Sequence, residues 1–207
     1  RIAFAVWETV GVHSDHPQSD LPAHEARRLW HAVSAVPDPV VAFRELERRR
    51  LEGHPLQYLE GTAAFGPLEV AVDERVLIPR PETEQLWELC ASFVHQPGRI
   101  VDLGTGSGAI ALALASERPN WRVLGVDRST AALEIARANA RRLGLPGVEF
   151  ARGDWFAALP AGVSFDLIVC NPPYVAQDDA HLASGDLRFE PVQALVAGED
   201  GLDDIRS

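Results

Sequence analysis

The feature that most constrains the fold of this chain is a regular alternation of short apolar strands with helical segments, which starts near residue 79. Strands are predicted over residues 99–103, 122–127, 148–151 and 165–170, and helices are predicted from residue 81 and over residues 109–115 and 129–143. Strands that alternate with helices are typical of a parallel sheet with helices packed on it. The fold class predicted for this region is therefore α/β.

The sequence before this region has a different character. Helical patterns around Leu29 and after Asp38-Pro39, a typical helix start, predict a small helical N-terminal domain over residues 1–56. Residues 57–78 contain β-type runs with glycine punctuation, and they predict an extended β-hairpin that links this domain to the α/β domain of residues 79–207. The apolar pattern of the second helix includes Val40, Val41, Phe43, Leu46 and Leu51.

Composition narrows the class of protein. The 19 basic residues are all Arg, and the formal net charge is −11. Proteins that hold nucleic acid through its phosphates are usually basic, so we expect no direct nucleic-acid partner. Two cysteines, Cys90 and Cys170, are too few for a disulfide framework and suit a reduced, cytoplasmic protein. No stretch approaches 18 apolar residues, so we expect no membrane-spanning helix.

Two further expectations concern the N-terminal region. Because the chain contains no Met and begins at Arg1, we expect it to lack its natural start. Five potential metal ligands lie close together in this region, but their spacing matches no standard pattern, so no metal site is expected. These residues are His13, Asp15, His16, Asp20 and His24.

A glycine-rich loop follows the first strand of the α/β region, at Gly104, Gly106 and Gly108. Glycines let the backbone turn sharply and approach a ligand, and the helix that follows offers free N–H groups. Asp127, at the end of the next strand, can accept the two hydroxyls of a ribose. With Ala109, the loop also satisfies the loose dinucleotide fingerprint, so a methyl-donor site and an NAD site both remain open on this motif.

A second motif, Asn171-Pro172-Pro173-Tyr174, directly follows the fourth strand. Ligands of open α/β sheets bind at the carboxyl ends of the strands, so this motif is expected at the mouth of the same pocket. The prolines fix the backbone and remove two donors, which leaves the Asn171 side-chain oxygen and the Pro172 carbonyl as acceptors for a planar –NH2 group. Tyr174 supplies a ring to cover that group. Such a site needs no strong base, since its contribution is positioning and electrostatics.

Taken together, these motifs resemble the peptide chain release factor N5-glutamine methyltransferases. The resemblance runs from about Gly53 to the end of the chain and is carried by residues 78–84, 102–108, 154–156, 171–174 and 188–191. It implies a Rossmann-like class I methyltransferase sheet whose C-terminal strands are missing from this chain. It also implies transfer of a methyl group from S-adenosylmethionine to the side-chain amide of the glutamine in the Gly-Gly-Gln motif of a release factor. We expect the protein to act as a monomer.

The resemblance also implies roles for individual residues. The glycine loop would contact the methionine part of the cofactor, Asp127 the ribose, and Asp154 with Trp155 the adenine side. Residues 78–84 would help to wall the pocket. The cofactor-binding residues implied in this way are Gly104, Thr105, Gly106, Ser107, Gly108, Asp127, Asp154, Trp155 and Asn171. The substrate would contact Asn171, Pro172, Pro173 and Tyr174, of which Asn171, Pro172 and Tyr174 are the catalytic candidates.

Four alternative functions are considered beside this one. A related enzyme methylates a glutamine of a ribosomal protein with nearly the same core motifs. DNA and RNA amino-methyltransferases use a similar Asn/Asp-Pro-Pro-aromatic motif, but they must bind a phosphate backbone, which the charge of −11 disfavours. A noncatalytic module that keeps the cofactor pocket and an NAD dehydrogenase are the other two, and no His or Lys suited to hydride relay lies beside the motifs.

Overall fold

The structure is a computed structural model that describes residues 16–93 and 95–207. The chain divides into two compact units, with the division between Glu52 and Gly53. His13 and Asp15, two of the metal-ligand candidates, lie outside the described residues.

The first unit contains helices α1 (Ala23–Val33) and α2 (Pro39–Leu51). Leu29 of α1 and Phe43 of α2 are fully buried, and the Trp30 ring meets Phe43 edge-on at a centroid distance of 5.8 Å. The predicted start of α2 is confirmed, because the Asp38 side chain accepts a hydrogen bond from the backbone N–H of Val41 at 3.2 Å and caps the helix.

The apolar face predicted for α2 is wrong for three of its residues. Val40, Val41 and Leu51 are 48%, 65% and 57% exposed. The buried residues of the helix are instead Phe43 and Glu47, which lie four residues apart on one face of the helix.

The second unit starts with a helix, most of which lies in the segment predicted to be extended. Helix α3 (Leu56–Glu60) buries Leu56 and Leu59 and ends at Gly61, whose φ is 76°. The predicted hairpin follows it as strands β1 (Thr62–Phe65) and β2 (Leu68–Ala71), which pair antiparallel. A single helical turn between Pro55 and Gly61 is too short for periodicity to reveal, which explains the error.

The remaining elements follow the predicted alternation closely. They are α4 (Pro81–Phe93), β3 (Arg99–Leu103), α5 (Ala109–Glu117), β4 (Arg122–Asp127), α6 (Thr130–Arg142), β5 (Glu149–Arg152), β6 (Leu167–Cys170) and α7 (Asp203–Arg206). Short 3₁₀ turns lie at Trp155–Ala158, Ala180–Ala183, Gly185–Phe189 and Val192–Ala194. None of the helices within residues 16–93 and 95–207 combines the length and the apolar character needed to cross a bilayer.

Strands β3 to β6 form one parallel sheet in the order β5-β4-β3-β6. The chain steps outward from β3 to β4 and β5 and then returns to pair β6 on the other side of β3. The direction of strand order therefore reverses between β3 and β6, and a crevice opens there beyond the carboxyl ends of the strands. The predicted α/β class is confirmed.

Both faces of the sheet are packed. On one face the core joins the hairpin, α5 and parts of α4 and α6, with Ile100 and Val169 pointing into it. On the other face Val101, Leu103 and Val126 pack with residues that include Trp155 and Phe165. This packing fixes the strand ends that carry the predicted motifs.

Candidate active site

An open cleft of about 950 Å³, including the space at its mouth, lies beyond the carboxyl ends of the parallel strands. Nine of the residues predicted for the site line it: Gly104, Thr105, Gly106, Ser107, Asp127, Asp154, Trp155, Asn171 and Pro173. Four different strands thus deliver their following loops to one cavity.

The glycine loop is shaped by hydrogen bonds to the neighbouring strand. The backbone N–H groups of Gly104 and Thr105 both donate to the Val126 carbonyl at 2.9 Å. Gly104 and Gly106 have φ of 74° and 55°, a left-handed conformation that glycine adopts without steric cost. A Cβ at Gly106 would meet no atom within 4 Å, so the loop leaves open space beside its backbone.

Asp127 is held at the end of β4 by two backbone donors. Its Oδ2 accepts from the N–H of Gly106 at 2.9 Å, and its Oδ1 accepts from the N–H of Ser129 at 2.8 Å. A carboxylate can accept about four hydrogen bonds. Both oxygens therefore keep acceptor capacity toward the cleft, as two adjacent ribose hydroxyls require.

A second carboxyl group lies beneath the loop. Asp102 is 1% exposed, and its Oδ2 accepts from the Thr105 hydroxyl at 2.6 Å. Its Oδ1 has no hydrogen-bond partner among the described residues. Burial raises the pKa of Asp102 to about 6, and the Thr105 hydrogen bond acts in the opposite direction.

Trp155 forms the side of the cleft above the glycine loop. Its ring carbons would lie 3.5–3.6 Å from a Cβ at Gly104, and its Nε1 donates to Asp204 at 3.2 Å. The φ of Trp155 is 41°, a left-handed conformation that costs a residue with a side chain about 1–3 kcal/mol. Such strain is concentrated at ligand sites, which agrees with an aromatic wall for a planar group.

Asn171 lies directly after β6, half-buried in the cleft. Its Nδ2 donates to the Thr83 hydroxyl oxygen at 3.2 Å, and Thr83 also lines the cleft. The preceding residue, Cys170, is less reactive than a free thiol, because burial raises the pKa of its thiol to about 12. Asn171 is therefore the polar group that this strand end offers to a ligand.

Three predicted site residues are not on the wall of the cleft. Gly108 is buried, and a Cβ there would lie 3.1 Å from Leu112 and 3.2 Å from Ala136, so its glycine serves the packing of α5 against α6. Pro172 is half-buried, and Tyr174 is 64% exposed and follows Pro173, which lines the cleft.

The cleft also contains residues that were not predicted from the sequence. Arg75, Val76 and Leu77 come from the segment after the hairpin. Gln193 and Ala194 come from the segment that follows the motif at residues 188–191. The family-like motifs at residues 78–84 and 188–191 lie beside these two stretches and are the sequence signals that pointed toward them. The Arg128 guanidinium donates to the Gln193 carbonyl at 3.0 Å and links the end of β4 to this wall.

Glu190 connects two segments of the cleft wall, the one around residues 78–80 and the one around residue 190. Its side chain is fully buried; Oε2 accepts from the N–H of Ile78 at 3.1 Å, and Oε1 pairs with the Arg80 guanidinium. Burial raises the pKa of Glu190 despite the opposing effect of Arg80. Residues 78–84 are therefore held firmly beside the cleft, as the resemblance implied.

The set of groups in the cleft fits a nucleoside-containing cofactor. The open space beside Gly106 admits a group that lies against the backbone. The spare acceptors of Asp127 suit the hydroxyls of a ribose, and the Trp155 ring suits a planar base. Among the described residues, no three His, Cys, Asp or Glu side chains are grouped so as to hold a metal ion.

Comparison with known proteins agrees with this geometry. The methyltransferase domain family matches residues 95–195. The release factor glutamine methyltransferase of Xylella fastidiosa (strain 9a5c) is 52% identical over 167 residues, which cover 80% of this chain and 60% of that protein. The enzyme of the same name from Vibrio cholerae serotype O1 is 46% identical over 205 residues, which cover 91% of this chain and 71% of that protein.

The chain matches only part of the length of these relatives. The chain spans 60% of the length of the Xylella protein. Among solved structures, the hMettl16 catalytic domain in complex with the MAT2A 3'UTR hairpin 6 is similar with a TM-score of 0.50 and 17% identity, over 81% of this chain and 60% of that chain. That likeness concerns the fold alone.

Proposed function

The chain belongs to the release factor glutamine methyltransferase family, and from that premise we propose that it methylates the side-chain amide nitrogen of the glutamine in the Gly-Gly-Gln motif of peptide chain release factors. S-adenosylmethionine is the proposed methyl donor. One observation carries the proposal: the glycine loop, Asp127 and Asn171 line the same cleft. A cofactor site and a candidate –NH2 acceptor are thus adjacent.

The cofactor would be held by residues already described. The loop from Gly104 to Gly108 would receive the methionine part, Asp127 the ribose hydroxyls, and Asp154 with Trp155 the adenine. When bound, S-adenosylmethionine supplies an electrophilic methyl group. The protein contributes orientation, since the glycine loop and Asp127 are held by backbone hydrogen bonds.

The substrate amide would be held by Asn171 and the Pro172 carbonyl. An amide nitrogen is a weak nucleophile because its lone pair is conjugated with the carbonyl. Two acceptors that bind both N–H groups fix the nitrogen and stabilise positive charge as it develops there. Tyr174, exposed beside the cleft, would close over the amide, with Pro173 behind it. The amide nitrogen would take the methyl group as the S–CH3 bond of the donor breaks, and one N–H proton would be lost to water, so the site needs no strong base.

Several features of the whole protein belong to the same proposal. The helical domain predicted over residues 1–56 would help to dock the release factor, and residues 79–207 would carry the chemistry. We expect a monomer in the cytoplasm without a direct nucleic-acid partner, since the net charge of −11 opposes binding to phosphates.

The test is a methyl-transfer assay with labelled S-adenosylmethionine and a Gly-Gly-Gln release factor. Ribosomal protein and duplex DNA serve as competing substrates. We expect label on the glutamine of the release factor alone. Label that appears only on ribosomal protein or only on DNA would replace the proposal with the corresponding alternative, and no binding of S-adenosylmethionine would remove the methyltransferase assignment altogether.

Asn171→Ala separates an enzyme from a noncatalytic binding module. Loss of the acceptor should lower kcat about 100-fold or more, the scale of a removed transition-state contact. The dissociation constant of S-adenosylmethionine, measured by calorimetry, should change little, because the glycine loop and Asp127 remain. The matched control is Asn120→Ala, an exposed residue outside the cleft. Equal activity of Asn171→Ala and the control would contradict a catalytic role for Asn171.

A further inference from the structure

We propose that Thr83 is a positioning residue that accepts a hydrogen bond from the Asn171 NH2 group and so holds the Asn171 amide in place with its oxygen available to the substrate. The inference rests on the proposed function, because it concerns the group that would hold the substrate –NH2. It is carried by one contact between distant parts of the chain: the Asn171 Nδ2 donates to the Thr83 Oγ1 at 3.2 Å across 88 residues of sequence.

A primary amide has two different ends, an oxygen that accepts and an NH2 that donates. Rotation by 180° exchanges them with almost no change in shape. A substrate –NH2 group offers donors only, so Asn171 can bind it only with Oδ1 directed into the cleft. In that orientation the Asn171 NH2 group must find an acceptor on the opposite side, since leaving a half-buried donor unpaired costs free energy.

Thr83 is the acceptor in that place. Both residues line the cleft and both are half-buried. Among residues 16–93 and 95–207, none donates a hydrogen bond to the Asn171 Oδ1. The contact therefore occupies the end of the amide that the substrate does not need and leaves the accepting end for the substrate.

Thr83 itself is held rigidly, as a positioning residue must be. It lies in the first turn of α4, where its N–H donates to the Arg80 carbonyl at 3.0 Å. The residues before it are clamped by the buried Glu190 through Ile78 and Arg80. The position of the hydroxyl is thus set by packed and hydrogen-bonded elements rather than by a free loop.

The test compares Thr83→Val, which removes the hydroxyl at nearly constant shape, with Thr83→Ser, which keeps it. The control is Thr62→Val, the same change at a half-buried position of β1 that does not line the cleft. At saturating S-adenosylmethionine and saturating release factor, kcat of Thr83→Val should fall about 10- to 100-fold, the scale expected for a misplaced catalytic group. Thr83→Ser should stay within about threefold of the parent on the same scale.

A second readout does not depend on turnover. The ¹⁵N-labelled side-chain NH2 signals of Asn171, assigned by their absence in Asn171→Ala, should shift in Thr83→Val and keep their positions in Thr83→Ser. Thermal unfolding midpoints show whether the variants are folded. If Thr83→Val proves unstable, Thr83→Ala is measured in its place, because both remove the acceptor.

Three results would overturn the inference. The first is a kcat of Thr83→Val at saturation equal to that of the parent. If only cofactor binding became weaker in this variant, Thr83 would be a cofactor contact and not a positioning residue. The second is an Asn171 NH2 signal that Thr83→Val does not move. The third is an equal loss of kcat in Thr83→Ser. Failure of the parent protein to methylate a release factor would instead refute the proposed function, and the NMR comparison would still decide the role of Thr83.

Discussion

Asp102 shows how burial alone changes the chemistry of a single residue. Its carboxyl group is 1% exposed beneath the glycine loop, and one oxygen lacks a partner within the described part of the chain. A charged group in that position is poorly solvated, so its pKa rises to about 6. An aspartate in an unfolded chain has a pKa of about 3.9.

This difference makes the stability of the protein depend on pH. The folded protein binds the proton more tightly than the unfolded chain, so the favourable contribution of Asp102 is complete below about pH 4 and is lost as pH rises through about 6. In Asp102→Asn the group no longer titrates. We therefore expect the free energy of unfolding of the parent, relative to Asp102→Asn, to fall by about 2–3 kcal/mol between pH 3.5 and 7.

The measurement is urea unfolding of the cofactor-free protein across this pH range. Asp178→Asn, at an exposed position, is the matched control and should follow the parent throughout. A constant difference between the parent and Asp102→Asn would show that Asp102 does not titrate in this window.

At the scale of elements, one side chain of α6 joins the hairpin to the glycine loop. Asn139 is fully buried, and its Oδ1 accepts from the N–H of Ala71 at 2.7 Å. Its Nδ2 donates to the Ala71 carbonyl at 3.0 Å and to the Ser107 carbonyl at 2.9 Å. The Asn139 amide thus pairs with Ala71 of β2 as a neighbouring strand would, and it also anchors the glycine loop through Ser107.

Asn139→Ala should therefore be costly. It leaves the polar groups of Ala71 and Ser107 without their partner and opens a cavity in the core, so we expect a loss of about 3–5 kcal/mol in the free energy of unfolding. Denaturant titration gives the value. Asn120→Ala, at an exposed site, should lie within about 0.5 kcal/mol of the parent. A loss below about 1 kcal/mol for Asn139→Ala would mean that water or backbone rearrangement replaces these bonds.

At the scale of the whole molecule, the cleft belongs to one of the two units. All its lining residues lie between Arg75 and Ala194, within the unit that begins at Gly53. A chain of residues 53–207 should therefore bind S-adenosylmethionine with nearly the affinity of the full chain. Its KM for the release factor should rise, because the proposed docking domain is removed.

Calorimetry with S-adenosylmethionine and steady-state kinetics with the release factor test this division of labour. A folded 53–207 chain that does not bind the cofactor would contradict this division of labour. An unchanged KM for the release factor would instead remove the docking role proposed for the helical domain.

Much of the α/β region was predictable, because its signals are local. The strands around residues 100, 124 and 168 and the helices between them follow from apolar runs, glycines and caps that act over a few residues. Helix α3 was not predicted, because a single turn is too short to show the hydrophobic periodicity of a helix. The exposure of Val41 and Leu51 was missed because it depends on which partner covers α2.

The cleft was predictable in outline for a similar reason. A parallel sheet brings its carboxyl ends together, so a glycine loop, Asp127 and Asn171 that follow three strands had to converge. The role of Gly108 was not predictable, since its tight contacts are with Leu112 and Ala136 and only packing reveals them.

The α/β class, the order of the motifs on their strands and the resemblance to a family of glutamine methyltransferases all follow from the sequence, and the relatives confirm the resemblance. How the site is held is visible only in the folded protein. Asn171 meets Thr83 across 88 residues, Asn139 meets Ala71 across 68, and Ile78 meets Glu190 across 112. Such contacts arise when the packed sheet and helices bring remote segments within hydrogen-bond distance, and no local pattern in the chain encodes them.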